Sequence, residues 1–220
     1  MVSGVIVDVV YGIAVARKDN SDGFVFVLSS QNTLPSRGTP TGWYLPELVH
    51  PYVALSPLFD IIVVSPKGRE APLDPYPIEA TKADHECLRS LLGKASEFAG
   101  IFYVGGHSQM FDLASDETSH ALGREFYESG KVVSAVCHGP AALANVKLSD
   151  GTYLVAGQEA TGLSNAEEDI MDFTNDMPFL LETKLRENGG IYQKSDITGQ
   201  NPSSAAMIGT SLINATGLYP

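Results

Sequence analysis

The segment Lys131 to Leu143, KVVSAVCHGPAAL, puts a thiol where a nucleophile would be useful. An apolar, β-branched run ends, Cys137 follows at once, and Gly139-Pro140 opens a helical stretch. Proline suits a first helical turn, because the N–H it lacks would have no partner there. A residue on such a sharp strand-to-helix turn is held above the sheet edge, facing a cleft. The partial positive charge of a helix N-terminus favours a thiolate. His138 stands next in the chain. The competing reading of Cys137 is an inert buried thiol, a frequent fate of cysteine. For Cys87, set in the helical pattern Glu86-Cys87-Leu88, that inert reading prevails. A second segment, Gly105-Gly106-His107-Ser108, follows the apolar run Gly100 to Val104 directly. Paired glycines at a strand end allow close backbone approach to a substrate. Their N–H groups could form part of an oxyanion hole. Both loops would face one cleft if their strands were parallel neighbours.

The elements needed to position these loops are visible as short apolar runs alternating with longer helical patterns. Gly23 to Leu28, Asp60 to Val64, Gly100 to Val104 and Lys131 to Val136 read as strands. They are near-continuous in apolar residues, as in a parallel sheet covered on both faces. Leu45 to Leu58, Thr81 to Ala99 and Ser115 to Ser129 read as helices, the last ended by Gly130. Further along, Tyr153 to Ala156, Glu159 to Leu163 and Ile191 to Ile197 are expected strands. A helix is expected around Phe179 to Asn188, and a last one after Asn201-Pro202-Ser203-Ser204. This rhythm implies an open α/β sandwich with right-handed crossovers. Ligands in such sheets bind outside the carboxyl ends of the strands, where Cys137 lies.

Composition excludes other classes. The chain has 220 residues, 44% hydrophobic and 18% charged, which is globular composition. One domain is expected, with a first stretch, residues 1–22, read as an extension or an extra strand. A domain of this length buries roughly 70% of its unfolded surface and needs no staple. The net charge of −12 argues against a sequence-independent nucleic-acid binder. Two cysteines are too few for a disulfide framework and fit a reducing, cytoplasmic compartment. Val5 to Ala16 is too short to span a bilayer and contains Asp8, so no membrane role is expected. Ala14-Val15-Ala16 looks like a signal cleavage site, but no Lys or Arg precedes the apolar stretch. No spacing of His, Cys, Asp and Glu resembles a zinc site, and the glycines form no phosphate-binding fingerprint. No metal and no cofactor are therefore expected.

Taken together, AVCHGPAAL, YVGGHSQMFDL, GWYLPELVHPY and TGQNPSSAA resemble the ThiJ/PfpI superfamily. More narrowly, they are similar to its fungal glutathione-independent glyoxalase branch, also called glyoxalase III or D-lactate dehydratase, which includes stress-induced chaperone-like proteins. The resemblance runs from about Gly23 to Leu218 and implies a flavodoxin-like fold with the nucleophile, Cys137, on the elbow. It implies that Glu47, in Leu45-Pro46-Glu47-Leu48, hydrogen-bonds the thiol. It implies His138 as the histidine partner and Glu168 as the third triad member, with Glu167 as the alternative. Oxyanion donors would fall on the N–H groups of Gly106 and His138, and His107 would touch substrate or pack under its loop. Homodimers are common in the superfamily. The chain departs from the pattern at Ser108, where the family usually has Gly, and residues 1–22 match nothing in the branch.

The activity so implied is conversion of methylglyoxal or glyoxal to D-lactate or glycolate, without glutathione. The residues alone support only a Cys-dependent reaction on a small electrophile. Two alternatives remain open on the sequence: a hydratase or amidase acting on another electrophile such as an isonitrile, and a stress chaperone or redox sensor. Each residue also has a plainer reading. Glu47 could be solvated on its helix, His138 could be structural, and Glu167-Glu168-Asp169 could be an acidic surface run.

Overall fold

The structure, a computed structural model, describes residues 23–68, 71–75, 86–194, 200 and 205–217. The expectations for residues 1–22 lie outside them. Five strands form one parallel sheet: β1 (Gly23–Val27), β2 (Asp60–Ser65), β3 (Glu86–Cys87), β4 (Phe98–Tyr103) and β5 (Val132–Ala135). Their order is β3-β2-β1-β4-β5. The chain winds outward from β1 in both directions, so the switch in strand order falls between β1 and β4. A crevice must open there, beyond the carboxyl ends of the strands. The resulting fold is flavodoxin-like.

Alternate side chains of each strand serve opposite faces. Val25, Val27, Ile101, Tyr103 and Val133 join one core cluster with Leu122 and Phe126 of α2 (Glu117–Glu128). Phe24, Phe26, Phe102 and Val132 join the other, with Leu55 of α1 (Leu45–Leu55) and Leu212 of α6 (Ala205–Ala215). Both faces are covered, which explains why the strands read as unbroken apolar runs. Asp116 caps α2 by accepting from the Ser119 N–H at 2.7 Å. Three shorter helices lie beyond β5 or further on: α3 (Ala141–Ala144), α4 (Asn165–Ile170) and α5 (Leu181–Glu187).

Three expectations are corrected. The segment expected as a helix over Thr81 to Ala99 holds β3, then 3-10 turns at Leu88–Leu91 and Ala95–Glu97, its first residues lying outside the description. Leu88 and Leu91 are buried three apart, a spacing that a 3-10 turn satisfies as well as an α-helix. Cys87 accordingly lies on a strand, not a helix. Tyr153 to Ala156 is a turn, closed by bonds from the Ala156 N–H to the Tyr153 carbonyl and from Gln158 to Val155. The strand expected at Glu159 to Leu163 shrinks to β6 (Glu159–Ala160), and that expected at Ile191 to Ile197 ends among the described residues as β7 (Ile191–Tyr192), residues 195–197 lying outside the description; the two form a separate parallel pair. No helix among the described residues is long and apolar enough to cross a membrane.

Candidate active site

Three chain segments meet beyond the ends of β1, β4 and β5. The first is the elbow. Cys137 adopts φ 55°, a left-handed conformation uncommon for a side chain other than glycine. The turn around it is tied down on both sides. The Gly139 N–H donates to the Val136 carbonyl at 2.7 Å, and the Leu163 N–H donates to the Cys137 carbonyl at 3.0 Å. Such strain persists only where its surroundings over-determine it, and it clusters at functional sites.

The second is the turn after β4. Gly106 has φ 114°, and a side chain on it would collide with the Gly42 carbonyl. A side chain on Gly105 would overlap the Glu47 carboxyl and the Cys137 Cβ. The bare backbone at Gly105 is therefore what lets carboxyl and thiol share one space. Gln109 braces this turn from behind, its carboxamide donating to the Gly105 carbonyl at 2.9 Å. Trp43 packs alongside, its indole N–H donating to the Ala71 carbonyl at 3.2 Å. The Tyr44 N–H reaches the Gly105 carbonyl at 3.1 Å.

The third is α4, whose phase is set by a capping box. The Ser164 hydroxyl and N–H both engage the Glu167 carboxylate, at 2.6 and 2.9 Å. That commits Glu167 to the helix end and turns Glu168 inward. Glu168 Oε2 lies 2.8 Å from His138 Nε2. The other imidazole nitrogen, His138 Nδ1, stands 3.6 Å from Cys137 Sγ. With its Nε2–H donated to Glu168, a neutral His138 presents Nδ1 to the thiol as an acceptor. Thiol, imidazole and carboxylate thus form a continuous row, the arrangement of a nucleophile, its base and the group that orients the base.

His107 completes the wall. Its ring lies 4.5 Å from that of His138 and 4.3 Å from Phe173. Its Nε2 stands 3.5 Å from Glu168 Oε1 without hydrogen-bond alignment, leaving both atoms buried and unpaired. The donor atoms of His107, His138 and Glu168 lie within 4.8 Å of one another. Sequence spacing did not show this grouping. Its members come from three separate chain segments, which sequence spacing cannot bring together.

The electrostatics divide the groups by proton affinity. Burial pushes the Glu47 carboxyl up, against a pull down from Cys137 and the Gly105 N–H, to about 8. Neither Glu47 oxygen has a partner in full hydrogen-bond geometry. Burial first, then the Glu47 charge, push the Cys137 thiol well above its ordinary value, while the His138 N–H pulls it back. Burial, with the neighbouring His107, lowers His138. Burial would raise Glu168 too, but its two histidines outweigh that and hold it at about 2. At neutral pH the resting site therefore holds a thiol, a carboxylic acid at Glu47, a neutral His138 and an ionised Glu168. Burial thus works against the thiolate that a helix N-terminus would favour. Cys137 is only 5% exposed, and α3 behind it is one short turn.

All six residues singled out in the sequence, Glu47, Gly106, His107, Cys137, His138 and Glu168, line or border one cavity of about 490 Å³. Sequence reading missed its outer wall. Phe173 lies there under the Arg37 guanidinium, 4.6 Å from its ring centroid. Arg37 is held in turn by Asp176.

The chain is similar in sequence and in fold to known proteins. The chain is 32% identical over 162 residues to the Schizosaccharomyces pombe glutathione-independent glyoxalase hsp3102, covering 64% of this chain and 67% of that protein. It is 29% identical over 133 residues to Candida albicans Glyoxalase 3, covering 52% and 56%. It spans about half to two thirds of the length of such curated relatives. Among solved structures, the Francisella tularensis Rapid Encystment Protein matches with TM-score 0.82 and 29% identity, over 89% of this chain and 99% of that one. Candida albicans glyoxalase III shares the fold, with TM-score 0.74 and 23% identity over 89% and 98%. The DJ-1/PfpI family model matches residues 47–205, the stretch that carries Glu47, the glycine turn, the elbow and Glu168, and the chain belongs to that family.

Proposed function

We propose that the chain is a glutathione-independent glyoxalase, a single domain from Gly23 onward that converts methylglyoxal to D-lactate and glyoxal to glycolate. The observation that carries this reading is the row Cys137, His138, Glu168, with contacts of 3.6 and 2.8 Å, beside a carboxylic acid at Glu47. The names of the relatives point the same way.

The roles follow from the proton affinities. His138 Nδ1 takes the thiol proton as sulfur adds to the aldehyde carbon. The N–H groups of Gly106 and His138 hold the developing oxyanion, which the imidazolium then protonates to give a hemithioacetal. His138 next removes the proton from that carbon, while Glu47 donates its proton to the neighbouring ketone oxygen. The resulting enediol gives Glu47 the proton of the hydroxyl on the sulfur-bearing carbon and accepts one at the second carbon from His138. This leaves an α-hydroxy thioester. Water, with His138 as base, releases the hydroxy acid and restores the thiol. One carbon is oxidised and its neighbour reduced, so no external oxidant or cofactor enters. Glu168 keeps the imidazole in its working tautomer throughout.

The test is D-lactate formation from methylglyoxal by the purified chain without thiol additives. Cys137→Ala is expected to abolish it. Lactate formation that survives this substitution would exclude the thiol mechanism.

A further inference from the structure

The cavity is too large for the simplest substrate of this reaction. Methylglyoxal fills about the space of three water molecules, roughly 90 Å³ at ~30 Å³ per water in the liquid. The cavity holds about 490 Å³, the size of sites that enclose much larger ligands. Its chemistry is also divided. Glu47, Cys137 and His138 sit at the reacting end. Its apolar lining comes from Leu34, Tyr44, Leu163, Met171 and Phe173, with Thr39, Thr41 and Asp74 beside them. Leu34 and Leu163 are themselves buried, at 4% and 3% exposure, while Met171 is 38% exposed.

The outer wall is also preformed. Asp172, between Met171 and Phe173, takes φ 59° in the turn that follows α4. Arg37 pins that turn from outside. It donates from Nε to Asp176 at 2.7 Å, bonds the Asp172 carbonyl and covers the Phe173 ring. Phe173 in turn lies against His107. The guanidinium is spent on these partners and is not free for an anionic substrate group.

We propose that the site takes α-oxoaldehydes with a bulky apolar side chain, branched aliphatic or aromatic, in preference to methylglyoxal. The inference rests on the glyoxalase reading and adds the substrate class. The dicarbonyl end reacts at Cys137, and the side chain lies against Leu34, Leu163, Met171 and Phe173. Each apolar group that leaves water for such a wall strengthens binding in both ground and transition states.

The experiment compares kcat/KM for methylglyoxal, isobutylglyoxal and phenylglyoxal, read as the corresponding hydroxy acids. The two bulky substrates are expected to exceed methylglyoxal by roughly tenfold or more. Met171→Trp puts a large side chain into the cavity at a position already 38% exposed, where the fold tolerates it. It is expected to lower the phenylglyoxal to methylglyoxal ratio by about tenfold. If methylglyoxal is the best of the three, or if Met171→Trp leaves the ratio unchanged, the inference is overturned while the glyoxalase reading stands. If none of the three is turned over, the glyoxalase reading fails and this inference with it.

Discussion

Two carboxyls stand on either side of the turn that follows β4, and they are treated in opposite ways. Asp112, beyond the turn, is saturated with donors. It accepts from the Ser29 hydroxyl at 2.8 Å, the Ser30 N–H at 2.6 Å and the Leu113 N–H at 2.7 Å. Glu47, in the first turn of α1, is fully buried, and neither oxygen has a properly aligned partner. Burial raises both, but Asp112 has hydrogen bonds pulling it back from several directions. Glu47 rises to about 8. A saturated carboxylate fixes geometry: Asp112 ties the end of β1 to the loop that carries Gly106 and His107. An orphaned carboxyl keeps its proton and its capacity to give it away, at a cost to the fold.

This contrast can be broken in three ways. The largest effect expected is on turnover. Glu47→Gln removes the acid and is expected to lower kcat/KM for methylglyoxal roughly a thousandfold, measured by lactate formation. A loss of less than threefold would reduce Glu47 to a packing residue. Next, Asp112→Ala leaves the Ser30 and Leu113 N–H groups without their acceptor. It is expected to cost about 3 kcal/mol of stability, measured by urea denaturation. A neutral result would mean that the anchor is dispensable.

The smallest effect is on stability against pH. An ordinary Glu near 4.5 ionises readily in the unfolded chain, while Glu47 in the folded chain holds its proton to about 8. Folding is therefore favoured at low pH by this group. That contribution is lost as pH rises from about 4.5 to about 8, and is constant above. Glu47→Gln removes the slope. The variant is expected to match the parent near pH 4.5 and to exceed it by on the order of 2 kcal/mol at pH 6.5. Equal pH slopes in parent and variant, from urea titrations at several pH values, would show that Glu47 is ionised at rest.

Much of the contrast was legible before any coordinates. The four long strands were readable because burial on both faces leaves no polar position to break the apolar run. Cys137 was readable because a strand, a thiol and Gly-Pro in succession leave few conformations. Glu47 was readable only through its Gly-Trp-Tyr-Leu-Pro context, since a lone Glu in a helix is ordinarily solvated. The choice of Glu168 over Glu167 was in fact encoded. Ser164 followed three residues later by Glu167 is a capping-box pattern, and it commits Glu167 to the helix end. The cluster of His107 with His138 and Glu168, and the Arg37 to Phe173 wall, were not legible. Their members lie far apart in sequence, and only the fold joins them. The expected helix before β4 failed because two buried leucines three apart do not distinguish between helix types.

Trp43 is the chain's single tryptophan, with its indole held to the Ala71 carbonyl and its backbone against the Gly106 turn. The protein thus carries one indole fluorophore, and that fluorophore adjoins the Gly106 turn. All indole emission originates beside the Gly106 turn that borders the cavity, so occupancy of the cavity and loosening of the turn can be followed optically, without any label.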